Sequence, residues 1–219
     1  MIVTIDGPAG SGKSTAARAL AERLGFYFLD TGAMYRAVTW SCLQQQIPLE
    51  DESRVAAVAR RLEIRLEGAR VFANGQDVTD AIRSSEVTQG TRFVAANVAV
   101  REWLVELQRR AAAGRDVVTE GRDQGTVAFP HAECKIFLTA DPRERALRRQ
   151  RDLEARGEQV SFESLLDQQA DRDRRDELRE VGPLRPAPDA IHIDTSGLGH
   201  VAVLQRLEEI VQQRMPCGK

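Results

Sequence analysis

The sequence predicts an α/β fold: a five-stranded parallel sheet flanked by helices, carrying a small antiparallel hairpin insertion and a polar helical lid. Three observations predict it. Gly7 to Ser14 reads G-x-x-x-x-G-K-S, the pattern of a phosphate-cradling loop, and it stands between a β-branched run and a segment of helical period. Four more short apolar runs, each closed by a polar residue, alternate with helical segments downstream, which is the rhythm of a parallel sheet. Between about residues 63 and 83 that rhythm breaks into short β-like runs around Asn74-Gly75, a strong two-residue hairpin signal.

Ile2, Val3 and Ile5 form the first strand. Gly7, Gly10 and Gly12 free the loop to wrap an anion, Lys13 supplies a point charge for the β- and γ-phosphates, and the Ser14 hydroxyl suits Mg²⁺. Thr15 is placed to touch the α-phosphate. Ser14 to Leu24 reads as a helix stopped by Gly25. Phe26–Leu29 is the second strand, joined to the first as a βαβ unit. Asp30-Thr31-Gly32 opens the next helix, from Ala33 to about Gln45. Asp30 or Thr31 can cap it, and Asp30, at a strand's carboxyl end, can at the same time contact ligand or Mg²⁺ through water. Tyr35 and Arg36 come next, on the first turns.

Residues 51–62 read as an amphipathic helix, followed by the antiparallel insertion and a further helix from Val98 to Ala112. Val117–Thr119 is the third core strand and runs into Glu120-Gly-Arg-Asp-Gln-Gly-Thr126, a second glycine-punctuated polar loop; Arg122 and Asp123 there read as a site pair. Ile136–Leu138 is the fourth strand. Asp141-Pro-Arg-Glu144 starts a helix, to about Arg156, that carries Arg143, Arg145, Arg148, Arg149 and Arg151. Arg145 and Arg149, four apart, share a face. So polar a helix is either a lid over triphosphate or a solvated surface. Phe162 to Glu180 is a second charged helix, with Arg172, Asp176 and Arg179 along one stripe, a carboxylate able to hold two guanidiniums. Ile191–Ile193 is the fifth strand. A last helix, about 199–214, turns Val201, Leu204, Leu207 and Val211 to the core.

The 219 residues suit one domain with insertions, or one domain plus a small one. The chain is 42% hydrophobic and 29% charged, with a formal net charge of −2, so nothing in its overall charge points to nucleic acid or membrane. Cys42, Cys134 and Cys217 have no C-x-x-C spacing, which argues against a disulfide framework or zinc site and fits a reducing, cytoplasmic setting. Of 31 basic residues 28 are Arg; the planar fork suits phosphate wherever an Arg falls in a motif.

Taken together, these segments resemble the bacterial cytidylate kinases, a family of nucleoside-monophosphate kinases with the P-loop kinase fold. The resemblance runs through Gly7-Pro-Ala-Gly-Ser-Gly-Lys-Ser-Thr15, Leu29-Asp-Thr-Gly-Ala-Met-Tyr-Arg36, Val100-Arg101, Gly121-Arg-Asp-Gln-Gly-Thr126 and Arg172-Asp173 with Asp176 and Arg179. It implies transfer of the γ-phosphoryl of ATP to CMP or dCMP. Gly7, Pro8, Ala9, Gly10, Ser11, Gly12, Lys13, Ser14 and Thr15 would hold ATP, with Arg145 and Arg149 closing on it. Thr31, Arg36, Arg122 and Arg179 would surround the CMP phosphate, with Arg172 between donor and acceptor. Tyr35 and Asp176 would hold base and sugar, and Arg101 and Asp123 would help read cytosine. Catalysis would fall to Lys13, Arg122, Asp123, Arg172 and Arg179, with Mg²⁺ on Ser14. Two positions depart from the family pattern: Arg92, beside Thr91, stands where a small hydroxyl residue is usual, and the Pro usual before Val100 is missing.

The implied organisation is a single kinase domain: a core of about 1–35, 84–141 and 181–219, a monophosphate-binding region with the hairpin insertion at about 36–83, and a lid at about 142–180. The expected protein is a cytoplasmic monomer acting on free nucleotides. A kinase for UMP or a hydroxyl-bearing acceptor is the alternative, with Asp30 as the candidate base. A nucleotide switch is the other, though no N-K-x-D segment occurs.

Overall fold

The computed structural model describes residues 1–155 and 157–215. The helix end expected at Arg156, the fraying expected of Pro216 to Lys219, and Cys217 lie outside the described residues. In chain order the elements are β1 (Ile2–Asp6), α1 (Lys13–Leu24), β2 (Tyr27–Asp30), α2 (Thr31–Gln44) and α3 (Glu52–Arg61). The short strands β3 (Ile64–Glu67), β4 (Arg70–Ala73) and β5 (Gln76–Asp77) come next, then α4 (Ser85–Ala96) and α5 (Val98–Ala112). The chain continues through β6 (Val117–Gly121), β7 (Cys134–Thr139), α6 (Pro142–Glu154), α7 (Phe162–Glu177), β8 (Ile191–Asp194) and α8 (His200–Gln212).

The five expected strands form one parallel sheet in the order β2-β6-β1-β7-β8. β6 is inserted between β1 and β2, so the first βαβ crossover skips a strand. β1 therefore lies in the middle, paired with β6 from Ile2–Val117 to Asp6–Gly121 and with β7 from Val3–Cys134 to Asp6–Phe137. A strand with neighbours on both sides must be apolar on both faces, and Val3 and Ile5 are fully buried. The loops leaving the carboxyl ends of β1, β6 and β7 gather at one edge of the sheet, where open α/β sheets bind ligands.

The chain divides into two compact units, Met1–Phe28 with Gly114–Lys219, and Leu29–Ala113. In the first, Ala16, Ala17 and Leu20 of α1 and Val203, Leu207 and Ile210 of α8 join the core strands in one cluster. The buried stripe of α8 is Val203, Leu207, Ile210 and Val211, whereas Val201 is 66% exposed. That corrects the expected face: six residues of helix separate Val201 from Leu207, which turns it to the far side. The polar helices α6 and α7 hold a small core of their own, Ala146, Leu153 and Leu165 with Val160, Phe162 and Leu166 packed against it. Helix α7 ends at Glu177, three residues short of the expected Glu180.

In the second unit Asp30 caps α2 by accepting from the Ala33 N–H, and Asp51 caps α3 by accepting from Arg54. The insertion is a three-stranded antiparallel sheet, β3-β4-β5. Its second turn places Asn74 at φ 49° and Gly75 at φ 80°, the paired positive angles of a type I′ hairpin. Helix α4 has no counterpart in the sequence reading, because Thr88, Gly90 and Thr91 are weak helix formers. Its ends are held by Ser84 and by Asn97, which also caps α5, and the Thr39 hydroxyl donates to Thr91 Oγ1 at 3.2 Å.

The two faces of α8 give a direct test. Leu207→Ala should lower stability by about 2–5 kcal/mol. Val201→Ala on the same helix should change it by no more than about 0.5 kcal/mol. Equal shifts of the two urea midpoints would refute this packing.

Candidate active site

The first unit builds a phosphate site on the end of β1. At Gly7 a Cβ would lie 2.0 Å from the Leu138 carbonyl oxygen, so the loop can leave the sheet here only as glycine. Gly12 caps α1 without any side-chain acceptor for the first-turn N–H groups. Those donors, and the positive end of the helix, are left to an anion. Ser14 and Thr15 are exposed, and the buried Ser11 hydroxyl has no hydrogen-bond partner.

Lys13 is only 5% exposed and donates to the Pro8 carbonyl at 3.2 Å. Burial, then the positive charges of Arg122 and Arg172, bring its pKa down from 10.5 to about 7, against the opposing pull of Glu120 and Asp176. Cations and acids are thus interleaved around a lysine that burial leaves easy to deprotonate.

The carboxylate that pairs with two of the arginines is Asp176. Arg122 Nε pairs with one carboxylate oxygen at 2.8 Å, and Arg179 pairs with the other. The guanidinium of Arg122 also donates to the Gly121 carbonyl. Burial works to raise the Asp176 pKa, but the charges of Arg122 and Arg179 outweigh it and hold the carboxyl below its ordinary value. Burial likewise works against the charge on Arg122, and Asp176 outweighs it. Of the two guanidiniums expected to flank Asp176, Arg179 is one, while the other described pair is with Arg122 rather than with Arg172 of the same helix. Arg122 lies just past the end of β6, and Arg179 lies past the α7 C-cap at Leu178. Arg172 is exposed on α7 and adds its charge to the field at Lys13 and Asp176.

Helices α6 and α7 reach the outside of the loop. Arg145 Nη1 and Gln169 Nε2 both donate to the Ala9 carbonyl at 2.9 Å. Arg145 also donates to the Ala140 carbonyl and pairs with Asp173. Arg149, its expected companion, is exposed. The next guanidinium turned to the loop is Arg148, which donates to the Ser11 and Thr195 carbonyls at 3.5 and 2.9 Å. It borders a cavity of about 280 Å³ lined also by Glu144, Leu147, Arg151 and Gly197 to Gly199. Sequence reasoning missed Arg148 and Gln169 as loop contacts. Arg148 lies three residues from Arg145, which is also a same-face spacing, so the signal was present for it.

Sequence reasoning missed Asp6 as well. It closes β1, is 3% exposed, and accepts the Gln124 and Gly125 N–H groups, each at 2.8 Å. Gln124 to Ala128 form a single π-type turn directly after Arg122 and Asp123. An acid ending a β-branched run was the available signal.

In the second unit Thr31 and Tyr35 are buried at the start of α2, and Arg36 pairs with Asp30 at 3.4 Å. Arg101 is 3% exposed, donates to the Ala95 carbonyl, and sets its guanidinium 5.7 Å from the Tyr35 ring centroid. Arg92 is exposed and lies over Phe93 at 4.6 Å. The Thr91 hydroxyl donates to the Val87 carbonyl within α4. Among the described residues no cluster of His, Cys, Asp or Glu could hold a metal, and no helix is long and apolar enough to cross a membrane.

A central parallel strand feeding a glycine loop, a lysine at the helix start and a surrounding set of arginines define a P-loop phosphotransferase. The fold agrees: the chain superposes with TM-score 0.50 on shikimate kinase from Bacteroides thetaiotaomicron, at 13% identity over 97% of this chain and 98% of that one. Residues 3–213 match the cytidylate kinase family, and the chain belongs to it. It is 48% identical to a cytidylate kinase of Rhodopirellula baltica over 97% of this chain and 93% of the relative. It is 47% identical to one of Carboxydothermus hydrogenoformans, with 98% of each covered. The chain is accordingly an ATP-dependent phosphotransferase that acts on CMP.

The Asp176 pair makes a pH prediction. A carboxyl held below its unfolded value of 3.8 stabilises the fold fully above about pH 4, and the contribution is lost as pH falls through the folded value. Asp176→Asn leaves two mostly buried guanidiniums without their carboxylate. It should cost about 3–5 kcal/mol at pH 7 and less at pH 3. A cost that stays the same at both values, read from urea unfolding, would contradict the pairing.

Proposed function

We propose that the chain passes the γ-phosphoryl of ATP in line to a phosphate oxygen of CMP or dCMP. The carrying observation is the set of cations gathered at the phosphate loop, with Arg122 and Arg172 acting on Lys13 and Arg122 and Arg179 paired with Asp176. A monophosphate's second pKa is about 6, so the nucleophile is ionised at neutral pH and needs no strong base. What needs solving is the approach of two polyanions, and positioning with charge neutralisation solves it.

Residues 7–15 hold the ATP phosphates, with Lys13 at the β- and γ-oxygens and Arg145 and Arg149 on the lid side. Thr31, Arg36, Arg122 and Arg179 bind the CMP phosphate, and Arg172 bridges the two nucleotides. Tyr35 and Asp176 orient base and sugar, while Arg101 and Asp123 read cytosine. Residues about 36–83 serve monophosphate binding and about 142–180 the lid of a single kinase domain. Mg²⁺ fits the donor set: the exposed Ser14 hydroxyl offers one oxygen and Asp30 a carboxylate able to hold a metal-bound water. Mg²⁺ keeps several waters and binds mainly through substrate phosphates, so a metal carried by ATP needs no cluster of acids. When bound, it neutralises phosphate charge. We read the enzyme as a cytoplasmic monomer with no nucleic-acid or membrane partner; a dimer in sedimentation would correct that.

The test is ADP formation from Mg-ATP with CMP, dCMP, UMP, AMP, GMP and cytidine offered separately. Strong turnover of CMP and dCMP with little of the purines is expected. Equal use of UMP would overturn the cytosine reading, and turnover of cytidine alone would overturn the phosphate acceptor.

The arginine roles predict a graded loss. Arg122→Ala or Arg179→Ala should lower kcat by about 10³-fold or more. Arg54→Ala, exposed on α3, should leave it close to unaltered. Three similar rates would remove Arg122 and Arg179 from the mechanism.

A further inference from the structure

The carboxylate of Asp6 is buried at the root of the phosphate loop, and neither nucleotide binding nor phosphoryl transfer has yet given it a task. Its two oxygens accept from two successive backbone N–H groups, Gln124 and Gly125, both at 2.8 Å. These are the first donors of the turn Gln124–Ala128, whose later amides bond back to Asp123 and Gln124: Val127 N–H to the Asp123 carbonyl at 2.8 Å, Phe129 N–H to the Gln124 carbonyl at 2.7 Å. The opening donors of a helical turn need an acceptor. No side chain of the turn's own cap residue, Asp123, supplies it. A residue of another strand does so instead, 118 and 119 positions earlier in sequence.

The approach is tight. A Cβ on Gly125 would lie 3.0 Å from Thr4 Oγ1 and 3.4 Å from Asp6 Oδ2. The Gln124 side chain is fixed by the Thr119 hydroxyl, which donates to it at 3.0 Å. On one side of Asp6 is Gly7, the first residue of the phosphate loop. On the other side of the capped turn are Arg122 and Asp123.

We propose that Asp6 is a positioning residue for phosphoryl transfer: by capping the turn at Gln124 and Gly125 it fixes Arg122 in register with the phosphate loop. The proposal rests on the reading of the chain as a phosphoryl-transfer enzyme that uses Arg122. The groups that face Asp6 are Asp123 and Arg122 from the capped loop, Lys135 from β7, whose stem lies against Gly125, and Thr4 on its own strand. Burial is the largest influence and pushes the carboxyl up to about 7; the two N–H bonds oppose it, Asp123 adds to it and Arg122 opposes it. With a folded value above the unfolded 3.8, ionised Asp6 costs stability, and that cost grows as pH rises from about 4 to about 7. A carboxylate that weakens the fold where the enzyme works is better explained by the site than by the core.

Asp6→Asn tests this, because the amide mimics the protonated acid and can accept only one of the two N–H groups. At pH 8 kcat should fall at least about tenfold with the KM for CMP changed little, and the wild-type to variant ratio should shrink toward one near pH 6. The variant should melt at pH 8 no lower than wild type. A ratio independent of pH, or an unchanged kcat, would overturn the proposal. If the variant does not fold, the Gln124 and Gly125 amide resonances of the unaltered chain provide the readout: they should follow one titration between pH 6 and 8, and their failure to do so would also overturn it. Turnover of CMP by the unaltered enzyme tests the underlying reading separately.

Discussion

The constraint on which the first unit depends is the crowding of positive charge around a buried lysine. Like charges brought out of water repel strongly, and a protein can hold them only with counter-ions or a bound anion. Lys13 registers the crowding, since burial and the nearby Arg122 and Arg172 bring its pKa to about 7. Asp176 keeps the arrangement from failing by taking Arg122 and Arg179 on its two oxygens. Guanidiniums and a lysine held in this way are suited to a polyanion.

The sheet order supplies the geometry. β1 lies between β6 and β7, so the residue after β1 and the residues after β6 emerge side by side. Gly7 passes under the Leu138 carbonyl of β7, and Asp6 reaches across to the turn beyond β6. Two polar loops distant in sequence thus share one anchor. Helices α6 and α7 are tied to the same place, because Arg145 and Gln169 both donate to the Ala9 carbonyl. Such ties between rigid elements are what keep a transferring group within fractions of an ångström of its path.

Much of this is legible in the sequence. The five strands, the phosphate loop and the Asn74-Gly75 hairpin each carry a local signal strong enough to survive tertiary packing. The misreadings have physical causes. Helix α4 contains glycine and threonines, so its stability comes from caps and from packing rather than propensity. Val201 reads as core because apolar residues are dense along α8, but only Val203, Leu207, Ile210 and Val211 share the buried stripe. Arg179 looks like part of a helical stripe, yet α7 ends before it, and it reaches Asp176 from the turn beyond. Asp6 is marked only as an acid that ends a β-branched run. Its partners are backbone amides 118 and 119 residues away, and a bond to a backbone amide leaves no mark on the partner's residue type.

The fold alone does not decide what receives the phosphate, since one scaffold can host acceptors of different chemistry. The side chains do decide it. A hydroxyl acceptor must lose a proton during transfer, and such a site needs a base within hydrogen-bond reach of it. Asp30, the candidate for that task, already accepts from the Ala33 N–H and pairs with Arg36. Asp176 is bound by two guanidiniums and kept below its ordinary pKa, which makes it a poor proton acceptor. A phosphate acceptor asks for the opposite equipment. It arrives ionised, needs no base, and must be relieved of charge. Arg122 and Arg179, held rigid by one carboxylate, are suited to that task and to no proton transfer, since a guanidinium stays charged at any pH the enzyme meets.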